Sequence, residues 1–277
     1  MGKTVFENID PVILARVQAM RLFDDEFMSV VFSDDIETTQ LLIRILLNRN
    51  DLTVTKSMSQ VQKNNLFGKS VKLDIVAEDI FQNEYNIEIQ RADAGAGAKR
   101  IRYHQAMMDS HTLQKGCSFK ELPNLYIIFI LEHDIFERGM PVYRVNKILN
   151  IKDKNGNNLP FDDDCNIMYV NGEYKGDDPL GRLMHDFSTV NADEMYYEEL
   201  AARMRFFKQD ERGVDMASKI VEEYGDIRAA EALQQGILQK SIEDALLLIR
   251  EYKESPEVAA KKMNAPLEKV LEVLETN

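Results

Sequence analysis

Seven residues in a row, Leu125-Tyr126-Ile127-Ile128-Phe129-Ile130-Leu131, are aliphatic or aromatic and follow closely on Pro123. The run is well short of the ~18 residues that a membrane helix requires, and a strand apolar on both sides must be covered on both faces. It therefore predicts a central strand of a covered sheet, hence an α/β protein with helices packed around that sheet.

The segments upstream supply the other layers. Between Arg21 and Asn48, Phe27, Val30, Val31, Leu41, Leu42, Ile45 and Leu46 recur at helical spacing, and Ser33-Asp34-Asp35 interrupts them with good N-cap residues. Two helices are expected there. Leu52 to Lys56, Ser70 to Glu78 and Glu84 to Arg91 alternate apolar with polar residues, which predicts a strand and then a hairpin turning at Asp79 to Asn83. Gly95 and Gly97 lead into a helix over Ala98 to Gln114 that ends at Gly116. Val142 to Ile148 offers a further strand, Asp153 to Asn158 a turn, and Phe161 to Phe187 short strands without an assigned role. From Ala192 onward the pattern is helical, with breaks expected near Gly213, Gly225 and Gly236 and a short helical pair from Ser255 to Leu274 divided at Pro266. The chain is thus read as a main domain over residues 1–190 and a helical C-terminal region over 191–277. The mixed charges of that region do not suit a DNA-reading helix-turn-helix, and it is expected to serve interaction or homo-oligomerisation.

Composition removes several classes. A length of 277 residues at 44% hydrophobic content is enough for one sizeable core plus a smaller appendage. Cys117 and Cys165 are the only cysteines and have no metal-ligand spacing, so neither a disulfide framework nor structural zinc is expected, and a reducing cytoplasm fits. Glu7 and Asp10 interrupt the first twenty residues before a signal core could form, and no apolar stretch is long enough for a membrane span. There is no GK[ST], HExxH or GxSxG, and Gly95-Ala96-Gly97-Ala98 lacks the third glycine of a dinucleotide loop. His104 and His111, two turns apart on the predicted helix, are read as exposed. A net charge of -13 argues against a generally basic surface, so any polyanion must be met by a local positive track.

The informative chemistry lies in Lys72-Leu73-Asp74-Ile75-Val76 and Tyr85-Asn86-Ile87-Glu88-Ile89-Gln90-Arg91. Strict alternation puts Lys72, Asp74 and Val76 on one face with Leu73 and Ile75 on the other, and separates Asn86, Glu88 and Gln90 from Ile87 and Ile89. A hairpin centred near Phe81 sets Asp74 across from Glu88 and Lys72 across from Gln90. Carboxylates at that spacing repel unless a cation lies between them, and Mg²⁺ or Mn²⁺, preferring oxygen ligands, would relieve the cost. The plain alternative is a sheet face carrying solvated charges. The apolar opposite face and the covered strand beside it favour a site.

Asp74 followed by Glu88-Ile89-Gln90 resembles the D…(D/E)xK signature, with Gln90 at the lysine position. With the flanking Lys69-Ser70-Val71, Arg91-Ala92-Asp93 and Lys99-Arg100-Ile101-Arg102-Tyr103, residues 20 to 150 resemble the Rpn family of recombination-promoting nucleases, the PD-(D/E)XK nuclease family transposases. The resemblance implies a restriction-endonuclease-like core, a mixed sheet flanked by helices with a helical C-terminal region. It also implies metal-dependent endonuclease cleavage of DNA phosphodiester bonds. Asp74, Glu88 and the carbonyl of Ile89 would hold Mg²⁺, and Gln90 would orient the attacking water. Lys72 is expected to supply part of the missing lysine charge, and Asp25 a further acid from the first helix, where Asp24 and Glu26 are its neighbours. Arg91, Lys99, Arg100, Arg102 and Tyr103 are the expected DNA contacts. The rival expectation is a catalytically decayed nuclease fold acting as a binding module, favoured by Gln90 and by the overall acidity.

Overall fold

The computed structural model describes residues 6, 9–91 and 97–276. Helices α1 (Pro11–Ala19), α2 (Asp25–Val31) and α3 (Ile36–Leu47) come first, then strands β1 (Val54–Lys63), β2 (Val71–Asp79) and β3 (Glu84–Gln90), helix α4 (Ala98–Thr112) and strand β4 (Leu125–Leu131). After these come β5 (Val142–Arg144), β6 (Ile148–Lys152), β7 (Asn158–Pro160), β8 (Cys165–Asn171), and helices α5 (Pro179–Ser188), α6 (Glu198–Gln209), α7 (Glu211–Tyr252), α8 (Pro256–Met263) and α9 (Leu267–Thr276). Asp35 caps α3 by accepting the Thr38 N–H at 2.8 Å, so the Ser33-Asp34-Asp35 break works as its sequence implies.

Six strands form one mixed sheet in the order β1-β2-β3-β4-β8-β5. The first three are antiparallel neighbours, β3, β4 and β8 run parallel, and β5 returns antiparallel on β8. Strand β4 is covered on both sides. Ile128 and Ile130 pack with Phe23, Phe27 and Phe32 from the N-terminal helices and with Phe187 of α5 and Phe207 of α6. Leu125, Ile127, Phe129 and Leu131 pack on the opposite face with Ile101, Met107 and Met108 of α4. The seven-residue apolar run needs both layers, because neither set of side chains tolerates water. Among the described residues, no helix is long and apolar enough to cross a membrane.

The chain divides into two compact units, 1–221 and 222–277. Residues beyond 190 contribute to the first: Ala192, Leu200, Met204, Ala217 and Val221 belong to the same core cluster as the N-terminal helices. Arg203 donates to the Val30 and Val31 carbonyls at 3.0 and 2.9 Å, tying α6 to the C-terminal end of α2. Lys208 is buried, and its ammonium donates to the Gln18, Met20 and Val190 carbonyls at 3.0, 2.6 and 2.7 Å. Burial pushes its pKa down to about 8. The second unit has its own small core, with Ile242, Ala245 and Leu246 of α7 against Ala259, Ala260 and Val270 of α8 and α9.

Several expectations are corrected. The break expected near Gly213 is present at Asp210, between α6 and α7, but α7 is continuous through Gly225 and Gly236, since a helical glycine costs only about 1 kcal/mol against many good helix formers. At Gly213 a Cβ would collide with the Phe206 carbonyl oxygen, so that glycine permits the close approach of α7 to the end of α6 at this break. Strand β1 extends to Lys63 instead of ending near Lys56, its outer half being polar because it lies at the sheet edge. The segment 161–187, given no role above, supplies core strand β8 and helix α5. Ala92, Asp93, Gly95 and Ala96, used above, lie outside the described residues.

Immediately after β8, Gly172 donates its N–H to the Leu131 carbonyl at 2.7 Å, and a Cβ there would meet that oxygen at 2.4 Å and the Phe23 ring at 2.6 Å. Both neighbours are fixed, one by backbone and one by the core. Gly172→Ala is therefore expected to cost about 2 kcal/mol, read as a lower denaturation midpoint with unchanged slope in chemical unfolding.

Candidate active site

Strands β2 and β3 pair in the expected register. Ile75 lies opposite Ile87, Val76 opposite Asn86, Ala77 opposite Tyr85 and Glu78 opposite Glu84. The ladder stops at Ile75, and the next positions are Asp74 and Glu88. There the Asp74 carboxylate accepts the N–H of Ile89 at 2.9 Å, and the Asp74 N–H points at Glu88 Oε1 at 3.4 Å. A strand residue sends its N–H and C=O to the same side, so the Ile89 carbonyl faces the gap that Asp74 enters.

The strict alternation expected along β2 fails at this point. Leu73 packs with Val71 and Val76 beside α4, whereas Ile75 and Ala77 face the N-terminal helices, so Leu73 and Ile75 lie on opposite faces. Strand β1 switches at the matching place. Ser59, opposite Ile75, donates to the Ser29 carbonyl of α2, while Val61, opposite Leu73, packs beside α4. Gln60 lies between them with a left-handed φ of 52°. Both strands thus turn over at one level, and Asp74 sits at the crossing. An alternation rule applied to an unbroken strand does not foresee this.

Asn86, Glu88 and Gln90 do share the face toward α4. Glu88 is fully buried. Its Oε2 accepts from Arg100 at 2.9 Å, and its Oε1 lies 3.5 Å from His104 Nδ1. Arg100 also donates to Gln90 Oε1 at 3.1 Å and to His104 Nε2 at 3.3 Å, with its guanidinium carbon 5.9 Å from the Phe129 ring centre. One arginine therefore organises three site residues. His104 is corrected from exposed to buried, at 3% exposure, whereas His111 is exposed as expected. Asn86 is likewise buried, with its amide nitrogen 3.3 Å from His104 Nδ1. The signal missed was that Arg100 and His104, four residues apart, share the inward face of α4.

Around this centre the other predicted residues fall into place unevenly. Asp25 is near enough to raise the Asp74 pKa, whereas Asp24 pairs with Arg91 at 2.6 Å and Glu26 with Arg16 at 2.6 Å. Arg91 also pairs with Glu132 at 3.1 Å. Lys72 is exposed and stands opposite Gln62 of β1; the β2–β3 ladder does not reach a Lys72–Gln90 pair. Lys99 and Arg102 are exposed, and Tyr103 is half-buried, its hydroxyl bonded to the Lys69 carbonyl and the Asn65 amide.

Burial pushes the Asp74 carboxyl well above the usual carboxylate range, reinforced by the charges of Glu88 and Asp25 and opposed by the Ile89 N–H and Arg100. Among the described residues, no three His, Cys, Asp or Glu side chains are gathered as a ready-made metal cage. What the site offers is two carboxylates and a backbone carbonyl. This all-oxygen set, carrying an excess of negative charge, fits a hard divalent cation that keeps several waters.

A family described as PD-(D/E)XK nuclease family transposase matches residues 29–173, which is more than half of the chain and contains every strand of the main sheet. The chain belongs to that family. No curated protein and no solved structure matches it. The mixed sheet flanked by helices is the fold that this family's signature implies.

The raised Asp74 pKa has a testable sign. Between the ordinary value of about 3.9 and its raised value, the folded state holds the proton more tightly than the unfolded state does, so stability falls as pH rises through that window. Asp74→Asn removes the buried charge and keeps an oxygen for the Ile89 N–H. In the presence of a chelator, the variant is expected to melt above the parent at about pH 7, with the difference shrinking as pH is lowered toward about 4. Equal melting temperatures throughout would show that Asp74 carries no such strain.

Proposed function

We propose that the protein is a metal-dependent DNA endonuclease. The observation that carries this reading is the Asp74–Glu88 pair, brought together where the ladder ends, with the Ile89 carbonyl on the same side. Asp74, Glu88 and that carbonyl would hold Mg²⁺, with Asp25 as a nearby acid. When bound, the ion supplies Lewis-acid polarisation of the scissile phosphate and a water of lowered pKa.

The protein's own groups have distinct tasks. Arg100 fixes Glu88 and Gln90 together and supplies a positive charge beside the position where the signature has lysine. Because Gln90 Oε1 accepts from Arg100, its amide NH₂ is the end left to donate, toward a phosphate oxygen or a water oxygen. Gln90 can therefore place a nucleophile but cannot take its proton. His104 backs Arg100 through its Nε2, which holds the guanidinium against Glu88. This assigns to Arg100 the charge expected of Lys72, with Lys72 as a more peripheral cation, and it moves Arg100 from the DNA-contact set to the centre. Lys99 and Arg102 are the exposed cations suited to phosphate contacts. A reducing cytoplasm suits the two free thiols, Cys117 and Cys165.

The decayed-nuclease alternative has two observations in its favour: Gln90 replaces lysine, and Arg100 already occupies one oxygen of Glu88. The two readings separate in a supercoiled-plasmid assay with Mg²⁺ or Mn²⁺. The parent is expected to nick the plasmid and to gain thermal stability from the ion. Asp74→Ala and Glu88→Ala should lose both, and Arg100→Ala should slow nicking by about 100-fold. No nicking and no ion-dependent stabilisation in the parent would overturn the endonuclease reading and support the binding-module one.

A further inference from the structure

We propose that the turn between β1 and β2 is a DNA wedge, in which the side chains of Leu66 and Phe67 enter a duplex between adjacent base pairs next to the Asp74–Glu88 site. The inference rests on the nuclease reading and adds to it how the substrate is gripped.

Leu66 and Phe67 are consecutive and almost fully exposed, at 91% and 99%. Single exposed apolar residues are commonplace, but two adjacent ones at the tip of an ordered turn present a protruding apolar edge. The turn is held in place by its own hydrogen bonds. Asn65 Oδ1 accepts the Phe67 N–H at 3.0 Å, and Ser70 Oγ accepts the Asn65 N–H at 3.1 Å. Asn65 Nδ2 donates to the Tyr103 hydroxyl at 3.1 Å, and that hydroxyl donates to the Lys69 carbonyl. The pair is thus preset in its outward position, which lowers the ordering cost of insertion.

Charge identifies the occupant. In a chain of net charge -13, residues 63–72 contain Lys63, Lys69 and Lys72 and no acid. Tyr103 fastens this turn to the first turns of α4, where Lys99 and Arg102 are exposed with no acid between them. An apolar tip with cations on either side is the arrangement by which proteins unstack a base step while holding the adjoining phosphates. Position agrees. Asp74 follows Phe67 by seven residues, at most about 23 Å of extended chain. That is well under one duplex turn of about 34 Å, so a duplex cut at the site also passes the tip.

The test uses the full chain carrying Asp74→Asn, so that DNA is bound and not cut, with a duplex oligonucleotide bearing 2-aminopurine at successive positions. Binding is expected to raise the fluorescence of one or two adjacent positions several-fold. Adding Leu66→Ser and Phe67→Ser should abolish that rise and weaken binding roughly ten-fold, as loss of one stacked contact does. The slope of log affinity against log salt should stay the same, while Lys69→Ala should lower it by about one. Both turn residues are exposed, so an unchanged melting temperature verifies the fold. Duplex binding without a fluorescence rise, or a rise that survives the double change, overturns the wedge and leaves the nuclease reading standing. A shift from dimer to monomer with the double change, seen by light scattering, also overturns it by making the turn a contact between copies. A parent that neither binds nor nicks duplex overturns both.

Discussion

The hydrogen bond from the Ile89 N–H to the Asp74 carboxylate, at 2.9 Å, is the contact on which the rest of the site depends. In a regular antiparallel ladder, that N–H would seek a carbonyl on β2. Here a side chain takes the place of the backbone, so the two strands stop pairing and their next residues can converge as acids. The switch in side-chain direction at Gln60 and at Asp74 serves the same end. It keeps Leu73 and Ile75 in apolar layers on opposite sides of the sheet, while the acid between them lies where the ladder opens. The sheet thereby remains a covered, stable core along nearly its whole length and gives up its regularity where the two acids meet.

Much of the fold was legible because it rests on periodicity. The apolar run of β4 demanded two covering layers, and the β2–β3 hairpin had one register compatible with its turn, so Asp74 and Glu88 could be paired before any coordinates. What escaped has physical causes. The reversal at Asp74 is a tertiary compromise between two cores, and local alternation has no knowledge of it. His104 was read from its spacing to His111, although its meaningful neighbour is Arg100, whose target Glu88 is distant in sequence. Strand β8 lies in the stretch expected to hold short strands, but its central place in the sheet is masked because it enters through the polar stretch Asp162-Asp163-Asp164 and is apolar only toward its middle. Glycine was overweighted as a helix breaker in α7, where its cost is spread over a long cooperative element.

Charge distribution follows the same division between whole and part. Most of the acidic surplus is unrelated to the site, whereas Arg21, Arg91, Asp24 and Glu132 form a compact network that pins the end of β3 to the loop after β4 and the start of α2. Arg91, which looks like a phosphate contact in the sequence, is occupied with holding that junction. Net charge is a poor guide to what a cleft will bind when the cations that matter are few and locally arranged.

The anchoring of α6 has a consequence for how this family segment can be inherited or exchanged. Every strand of the main sheet lies within residues 29–173, yet Phe27 and Lys208 face each other at 5.2 Å, and Arg203 closes the end of α2 from a helix beyond that span. Heredity can shuffle the signature as a module only together with the helices that flank it on both sides. The core that covers the sheet runs on to Val221, so a recombination breakpoint placed at the edge of the recognisable motif would transmit the strands without the helices that shield them from water.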